Sequence, residues 1–330
     1  MTRKIVLHVG TQKTGTTSFQ RTAESARSEL ARQGFIYPDA SIWFGSALTH
    51  VHHRFSLEIA RDPHLTGGRA RKYRNLVRGK KWDRGTVLLS AETLHGHIAG
   101  RDRFMPSQFG ENYWQRREEY VEAVSRFVDG RDVRVVMSIR SPDTFMESMY
   151  LESVKSRREE LPQSERFYSG TWKEFVRDAS PLVDYARHVD LWEHYLGPVT
   201  VVRLEDGDMV TRLFRACGVE DPPAVNSSMR NVRTDPRVAL WLRTLDEGNG
   251  EQREEFGHSE QARSAIEDFG NRSLWESSGQ RDEFLAQFSK SVYGPSYFPE
   301  LLPLKPAATL TDVEESSLHN AWRAWKALQE

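Results

Sequence analysis

A chain of 330 residues is long enough for one large domain or two ordinary ones, each with a full core. Its 28% charged and 38% hydrophobic residues fit a folded globular protein and exclude low complexity, while Lys+Arg 46 against Asp+Glu 47 argues against a general nucleic-acid binder. A single cysteine, Cys217, excludes an intramolecular disulfide framework and a multi-cysteine zinc site.

The first element predicted is a buried parallel strand over 4–10, an apolar and β-branched run that leads into Thr11-Gln12-Lys13-Thr14-Gly15-Thr16-Thr17-Ser18. Gly10 and Gly15 allow a tight turn, and Thr16, Thr17 and Ser18 put hydroxyls where a helix begins. Backbone N–H groups at such a helix start point at an anion, and the helix dipole adds to the attraction. This helix is expected to run over 16–33 and to end before Gly34.

Short apolar runs at 35–37, 86–90, 133–139 and 199–203 read as further strands. Helices are predicted between them over 111–128, from Pro142, where proline is tolerated at a helix start, and over 185–196, stopped by Gly197-Pro198. Strands alternating with helices imply a parallel sheet covered on both faces. Beyond residue 208 the strand signal stops, and helices are predicted over 208–217, 236–246, 260–269, 281–290 and 311–328.

The expected organisation is a single α/β domain. A central parallel sheet flanked by helices occupies 1–207, and a mainly helical extension over 208–330 packs on it. The last helix aligns Leu318, Trp322, Trp325 and Leu328 on one face. That stripe reads as docked on the core, with a homodimer contact or an interfacial helix as the alternatives. The first apolar run is too short for a signal peptide and no later one reaches spanning length, so a cytoplasmic protein without a membrane span is expected.

The turn after the first strand carries the most chemistry. A nucleoside-triphosphate loop reads G-x-x-x-x-G-K-[ST]; here Gly10 and Gly15 have that spacing, but Thr16 replaces the lysine and Lys13 lies inside the loop. The string Lys13-Thr14-Gly15-Thr16-Thr17 resembles the phosphosulfate loop of the sulfotransferases that use 3′-phosphoadenosine 5′-phosphosulfate (PAPS). Arg140 and Ser148 strengthen the resemblance. Arg140-Ser141-Pro142 closes the run at 133–139, and in that family an arginine at a strand end and a serine eight residues later bind the 3′-phosphate. A planar guanidinium grips phosphate through two parallel bonds. The pattern Tyr185, Leu191-Trp192, Leu196-Gly197 and Val199 to Glu205 is also similar to bacterial members, whereas the glycine-rich adenine-contacting segment of the animal enzymes has no clear counterpart. The resemblance thus implies PAPS as donor, adenosine 3′,5′-bisphosphate as product, and Lys13 to Ser18 with Arg140 and Ser148 as its binding residues.

Sulfuryl transfer needs a cation at the departing oxygen and a base for the acceptor proton. Lys13 is the candidate cation, and no metal is expected, since Lys13, the loop amides and the Thr16 and Thr17 hydroxyls can meet the charge. Glu92, just after the run at 86–90, is the first candidate base, as in several glycan sulfotransferases, against a helix-capping role. A histidine of Thr49-His50-Val51-His52-His53, with His52 and His53 as the candidates, is the second, since histidine titrates near neutrality. The basic run from Arg69 to Arg74, Lys80-Lys81 and Arg84 reads as a solvated helix face or as a contact for an anionic acceptor; Lys155, Arg157 and Arg158 could line the same mouth. The expected activity is transfer to a hydroxyl or amine of a glycan or small molecule. A P-loop kinase or NTPase and a non-catalytic nucleotide-binding protein are the rivals.

Overall fold

A computed structural model describes residues 4–41, 52–79, 85–100, 112–129, 131–155, 171–225, 235–245, 250–266, 268, 272–298 and 305–329. Five parallel strands, β1 (Lys4–Gly10), β2 (Phe35–Ile36), β3 (Thr86–Ser90), β4 (Asp132–Ile139) and β5 (Val199–Arg203), form one sheet in the order β2-β3-β1-β4-β5. β1 is buried along almost its whole length, which a sheet covered on both faces demands. Alternate side chains serve opposite faces. Ile5, Leu7, Val9, Val87, Leu89 and Val135 pack with Phe55, Tyr120, Phe127 and Trp192. Val6, Leu88, Val136 and Val202 pack with Phe19, Leu30, Leu213, Phe214 and Cys217. Each such side chain contributes about 1.5–3 kcal/mol on burial.

The strand order fixes where a ligand belongs. The connection from β1 travels to β2 on one side of the sheet, while that from β4 travels to β5 on the other. The carboxyl ends of β1 and β4 are therefore adjacent at a topological switch point, where open parallel sheets leave a crevice.

Four expectations about helices change, two of them in extent: the helix expected over 260–269 is the shorter Glu260–Ser264, and the one expected over 281–290 lies at Ser278–Ala286. The helix expected over 16–33 is two helices, Thr16–Ser25 and Arg27–Arg32, separated at Ala26 with φ −95° and ψ 16°. The Ser25 hydroxyl donates to the Thr22 carbonyl (3.0 Å), which also accepts from Ala26 N–H (3.0 Å), and Leu30 N–H donates to the Ala26 carbonyl (2.9 Å), so the second helix follows the first without loss of backbone bonding. Leu328 leaves the apolar stripe: it lies past the end of the helix Asp312–Ala327 and is 72% exposed, whereas Leu318, Trp322 and Trp325 are buried.

The chain forms two compact units. The sheet unit comprises 1–141, 180–229 and 291–299; the helical unit comprises 142–179, 230–290 and 300–330. The units therefore part after Ser141 rather than at residue 207. The helix Met209–Ala216 belongs to the sheet unit, because Leu213 and Phe214 bury against one face of the sheet. In the helical unit Val238, Trp241, Leu242, Phe256, Ile266, Leu318, Trp322 and Trp325 make a core of their own. A second aromatic set joins Tyr150, Trp172, Phe175, Trp275 and Phe284. Among the described residues, no helix is long and apolar enough to cross a membrane.

Candidate active site

The 11–15 turn joins the end of β1 to the helix Thr16–Ser25 through two left-handed residues, Lys13 (φ 62°) and Gly15 (φ 78°). Gly15 adopts this conformation freely, whereas Lys13 does so at a cost of about 1–2 kcal/mol. Gly10 answers a different need, since a Cβ there would collide with the Thr16 methyl. Strand end and helix start thus approach more closely than any other residue at position 10 permits. Lys13, Thr17 and Ser18 remain partly exposed, and the first N–H groups of the helix have no carbonyl partner within it. Thr14 differs from its neighbours: it is fully buried, and its hydroxyl donates to the Thr11 carbonyl (2.5 Å) and meets Ser138 Oγ (2.9 Å). Its side chain supports the turn from below, leaving its backbone as the part that can face an anion.

Arg140 follows β4 and reaches the same turn, its Nη1 donating to the Lys13 carbonyl (3.4 Å). Its backbone is held on both sides. The buried Tyr185 hydroxyl donates to the Arg140 carbonyl (2.8 Å), and the next amide, Ser141 N–H, donates to Glu205 Oε1 (2.7 Å). Ser148 lies half-buried in the helix Pro142–Lys155, which belongs to the helical unit, whereas Arg140 belongs to the sheet unit.

Glu92 follows β3 by two residues and accepts a hydrogen bond from the Thr16 hydroxyl at the start of the first helix. It precedes the short helix Thr93–Gly96, yet its side chain makes no capping bond there. The helix-capping alternative therefore does not describe this carboxylate, which is directed instead to the turn that carries Lys13.

The histidines divide differently. His52 is fully buried, with Nδ1 accepting from Ser90 N–H (2.9 Å) and Nε2 donating to the Pro38 carbonyl (2.9 Å). Burial lowers its pKa to about 4. A ring with both nitrogens engaged and no exposure bridges two backbone segments and is poorly placed to take a proton from a substrate. His53 opens the helix His53–Arg61 and is partly exposed. His95 donates from Nε2 to the Leu182 carbonyl (2.9 Å), with burial lowering its pKa to about 3, and His97 Nδ1 pairs with Ser56 Oγ (3.1 Å).

No family model and no curated protein matches this chain. Three turns, after β1, β3 and β4, converge at adjacent strand ends and bring together Lys13, Thr16, Thr17, Ser18, Glu92 and Arg140. Among the described residues, no group of three or more His, Cys, Asp or Glu side chains is arranged to hold a metal ion. His50, Lys80, Lys81, Arg84, Arg157 and Arg158 lie outside the described residues. In the basic run, Ala70, Tyr73 and Val77 bury one face of the helix Gly68–Arg78 while Arg69 stays 65% exposed beside Glu58 (3.5 Å), an ordinary amphipathic arrangement.

Sequence reasoning missed the polar layer beneath this site. His8, Ser90 and Ser138 sit in otherwise apolar strands, and all three are fully buried. The signal was available: each is a polar residue in the last three positions of a buried run, and His8 faces Ser90 directly in register.

Proposed function

We propose that the protein is a sulfotransferase that moves a sulfuryl group from PAPS to a hydroxyl or amine of a glycan or small-molecule acceptor. One observation carries the reading: Arg140 reaches the Lys13 carbonyl and Glu92 accepts from Thr16, so a guanidinium, an ammonium-bearing turn and a carboxylate meet at neighbouring strand ends. When bound, the donor supplies an activated sulfuryl group carried on a phosphate leaving group. The residues fit such a ligand: helix N–H groups, two partly exposed hydroxyls and two cations suit a polyanion, and Gly10 keeps the turn tight.

Each residue then has a definite task. Backbone N–H groups of 15–18 with Thr17 and Ser18 orient the phosphate end. Lys13 stabilises the negative charge that grows on the departing oxygen. Arg140, fixed by Tyr185 and Glu205, offers a planar donor pair to a second phosphate. Glu92 takes the acceptor proton as the acceptor oxygen or nitrogen bonds to sulfur and the bond from sulfur to the phosphate oxygen breaks. A carboxylate keeps lone pairs beyond the one that Thr16 engages.

The Thr16–Glu92 pair also favours a second reading, because magnesium-nucleotide sites hold their ion between a loop hydroxyl and a carboxylate at a neighbouring strand end. Threonine at position 16, where that loop carries its lysine, speaks against it. Calorimetric titration separates the two. Adenosine 3′,5′-bisphosphate should bind more tightly than ATP with magnesium, and labelled PAPS should then transfer label in an acceptor screen. Arg140→Ala should weaken the bisphosphate by about 2 kcal/mol while adenosine 5′-phosphosulfate, which lacks the 3′-phosphate, barely changes. Tighter binding of magnesium-ATP would replace the proposal with the kinase reading, and binding without turnover would favour a non-catalytic protein.

A further inference from the structure

Beneath the 11–15 turn, five side chains form one hydrogen-bonded chain. Gln20 Nε2 meets Ser90 Oγ (3.1 Å), Ser90 Oγ meets His8 Nδ1 (2.8 Å), His8 Nε2 meets Ser138 Oγ (3.3 Å), and Ser138 Oγ meets Thr14 Oγ1 (2.9 Å). All five residues are buried, with at most 1% exposure, so bulk solvent does not compete for these bonds.

The proton order follows from counting donors. Thr14 has one hydroxyl proton, and it points at the Thr11 carbonyl (2.5 Å), which can only accept. Thr14 must therefore accept from Ser138. Ser138 gives its own proton to Thr14 and must accept from His8, so His8 Nε2 carries the N–H. A neutral imidazole has a single N–H, hence Nδ1 accepts from the Ser90 hydroxyl. Ser90 Oγ in turn accepts from the Gln20 amide. No other order satisfies every member while His8 is neutral, and burial holds it so by lowering its pKa to about 3.

Both ends of this chain matter to the site. Thr14 adjoins Lys13 in sequence. Ser90 lies two residues before Glu92 and is fixed further by His52, whose ring Nδ1 accepts from the Ser90 N–H (2.9 Å) and whose backbone N–H donates to the Ser90 carbonyl (3.2 Å). Next to it, Ala91 N–H donates to the His8 carbonyl (3.2 Å).

We infer that His8 is a positioning residue which, as the Nε2–H tautomer, sets the 11–15 turn through Ser138 and Thr14 while holding the strand end that leads to Glu92. The inference rests on the proposed reading only for the ligand used below, and two of its three measurements need no ligand. His8 touches no reacting atom and acts through the turn.

The test begins on the wild-type protein. Nitrogen-15 NMR of labelled histidine should give His8 the shifts of a neutral Nε2–H ring that does not titrate between pH 5 and 8. An Nδ1–H ring, or titration near the ordinary histidine value, would overturn the inference. Two variants then divide the ring's functions. His8→Gln places an amide donor near the Nε2 position and keeps the bond to Ser138, whereas His8→Asn keeps an acceptor for Ser90 and loses the bond to Ser138. Hydrogen exchange of amides 11–18 should quicken at least tenfold in His8→Asn and in Ser138→Ala, and stay near wild type in His8→Gln. Affinity for adenosine 3′,5′-bisphosphate should fall about tenfold in the same two variants, with no further loss in their double variant. Equal behaviour of His8→Gln and His8→Asn would reduce His8 to a packing residue. If wild type binds no bisphosphate while the NMR and exchange results hold, the positioning role stands and the sulfotransferase reading falls.

Discussion

One buried polar cluster in each unit is built in the opposite way from the other's, although the sheet unit also buries Arg117, whose guanidinium donates to the His97 carbonyl (2.7 Å). The sheet unit buries a neutral chain, Gln20–Ser90–His8–Ser138–Thr14, in which every member donates onward in one direction. The helical unit buries an ion cage. Arg237, 1% exposed, pairs with Asp235 through Nε–Oδ1 and Nη2–Oδ2 (both 3.1 Å) and with Glu314 through Nη1 (2.6 Å). Burial disfavours the Arg237 charge, yet the Asp235 and Glu314 contacts outweigh it and hold its pKa above the ordinary value. Asp235 caps the helix Pro236–Thr244 and Glu314 closes the capping box of the helix Asp312–Ala327, so the cage ties two helix starts together. Charges lock one packing arrangement in the helical unit. Neutral hydrogen bonds transmit a turn geometry in the sheet unit, next to a site that must itself hold charged groups.

The largest break between the two regions is chemical. On the proposed reading, Glu92→Gln should keep size and nucleotide affinity while removing the base, cutting transfer about 10²–10⁴-fold in single-turnover assays. Lys13→Ala should lower the rate on the order of 10²-fold or more, with circular dichroism unchanged because the backbone amides remain. Near-normal turnover of either variant would remove that residue from the mechanism.

Next in size is the cage. Asp235→Ala takes from the buried Arg237 a carboxylate that engages both its Nε and its Nη2, and should cost the helical unit about 3–5 kcal/mol in urea melts. Removing the charge as well, in Asp235→Ala/Arg237→Met, should recover part of the loss.

Acid sharpens the contrast further. His8, His52, His95 and His188 are all buried with pKa values below the ordinary 6.5. Above pH 6.5 both folded and unfolded forms hold them neutral. As the pH falls below 6.5, the unfolded chain takes up protons that the folded one refuses, so stability drops, by up to about 1.4 kcal/mol per pH unit for each histidine. The decline ends near the folded values of about 3 to 4 for His8, His52 and His95. Glu314 behaves in the other window: its folded pKa lies below 4.5, so its contribution persists until the pH falls under that value. Hydrogen exchange at pH 7.5 and 5 should show the sheet unit loosening first. Simultaneous loosening of both units would mean that these histidines do not set the acid response.

The smallest effect is a cap. Thr311→Ala removes the hydroxyl that accepts from Glu314 N–H (3.2 Å) and should destabilise the last helix by about 1 kcal/mol, with no change in transfer.

The strands at 86–90 and 199–203 were legible to the residue, because a β-branched run in a sheet covered on both faces leaves little choice of conformation. The convergence of Lys13, Glu92 and Arg140 was legible for the same reason: each follows such a run, and parallel strands deliver their carboxyl ends to one edge. His52 was not. Its occupation depends on Ser90 N–H, 38 residues away, and on the Pro38 carbonyl, neither of which composition reveals. The division after Ser141 was missed because Pro142 reads equally well as a helix start within one unit or at the edge of another.

Cys217 sits at the end of the helix Met209–Ala216, 1% exposed against Phe214 and Val219, and burial pushes its thiol pKa up. A shielded and protonated thiol is inert toward disulfide reagents, so labelling must wait for the helix to lift from the sheet. With reagent in modest excess, the observed rate equals the intrinsic thiol rate multiplied by the fraction of time that the helix is open. The chain thus carries a single-site clock for excursions of that face. A ligand that tightens the opposite end of the sheet should slow the clock only if those excursions are coupled to the site, and that can be timed without any acceptor in hand.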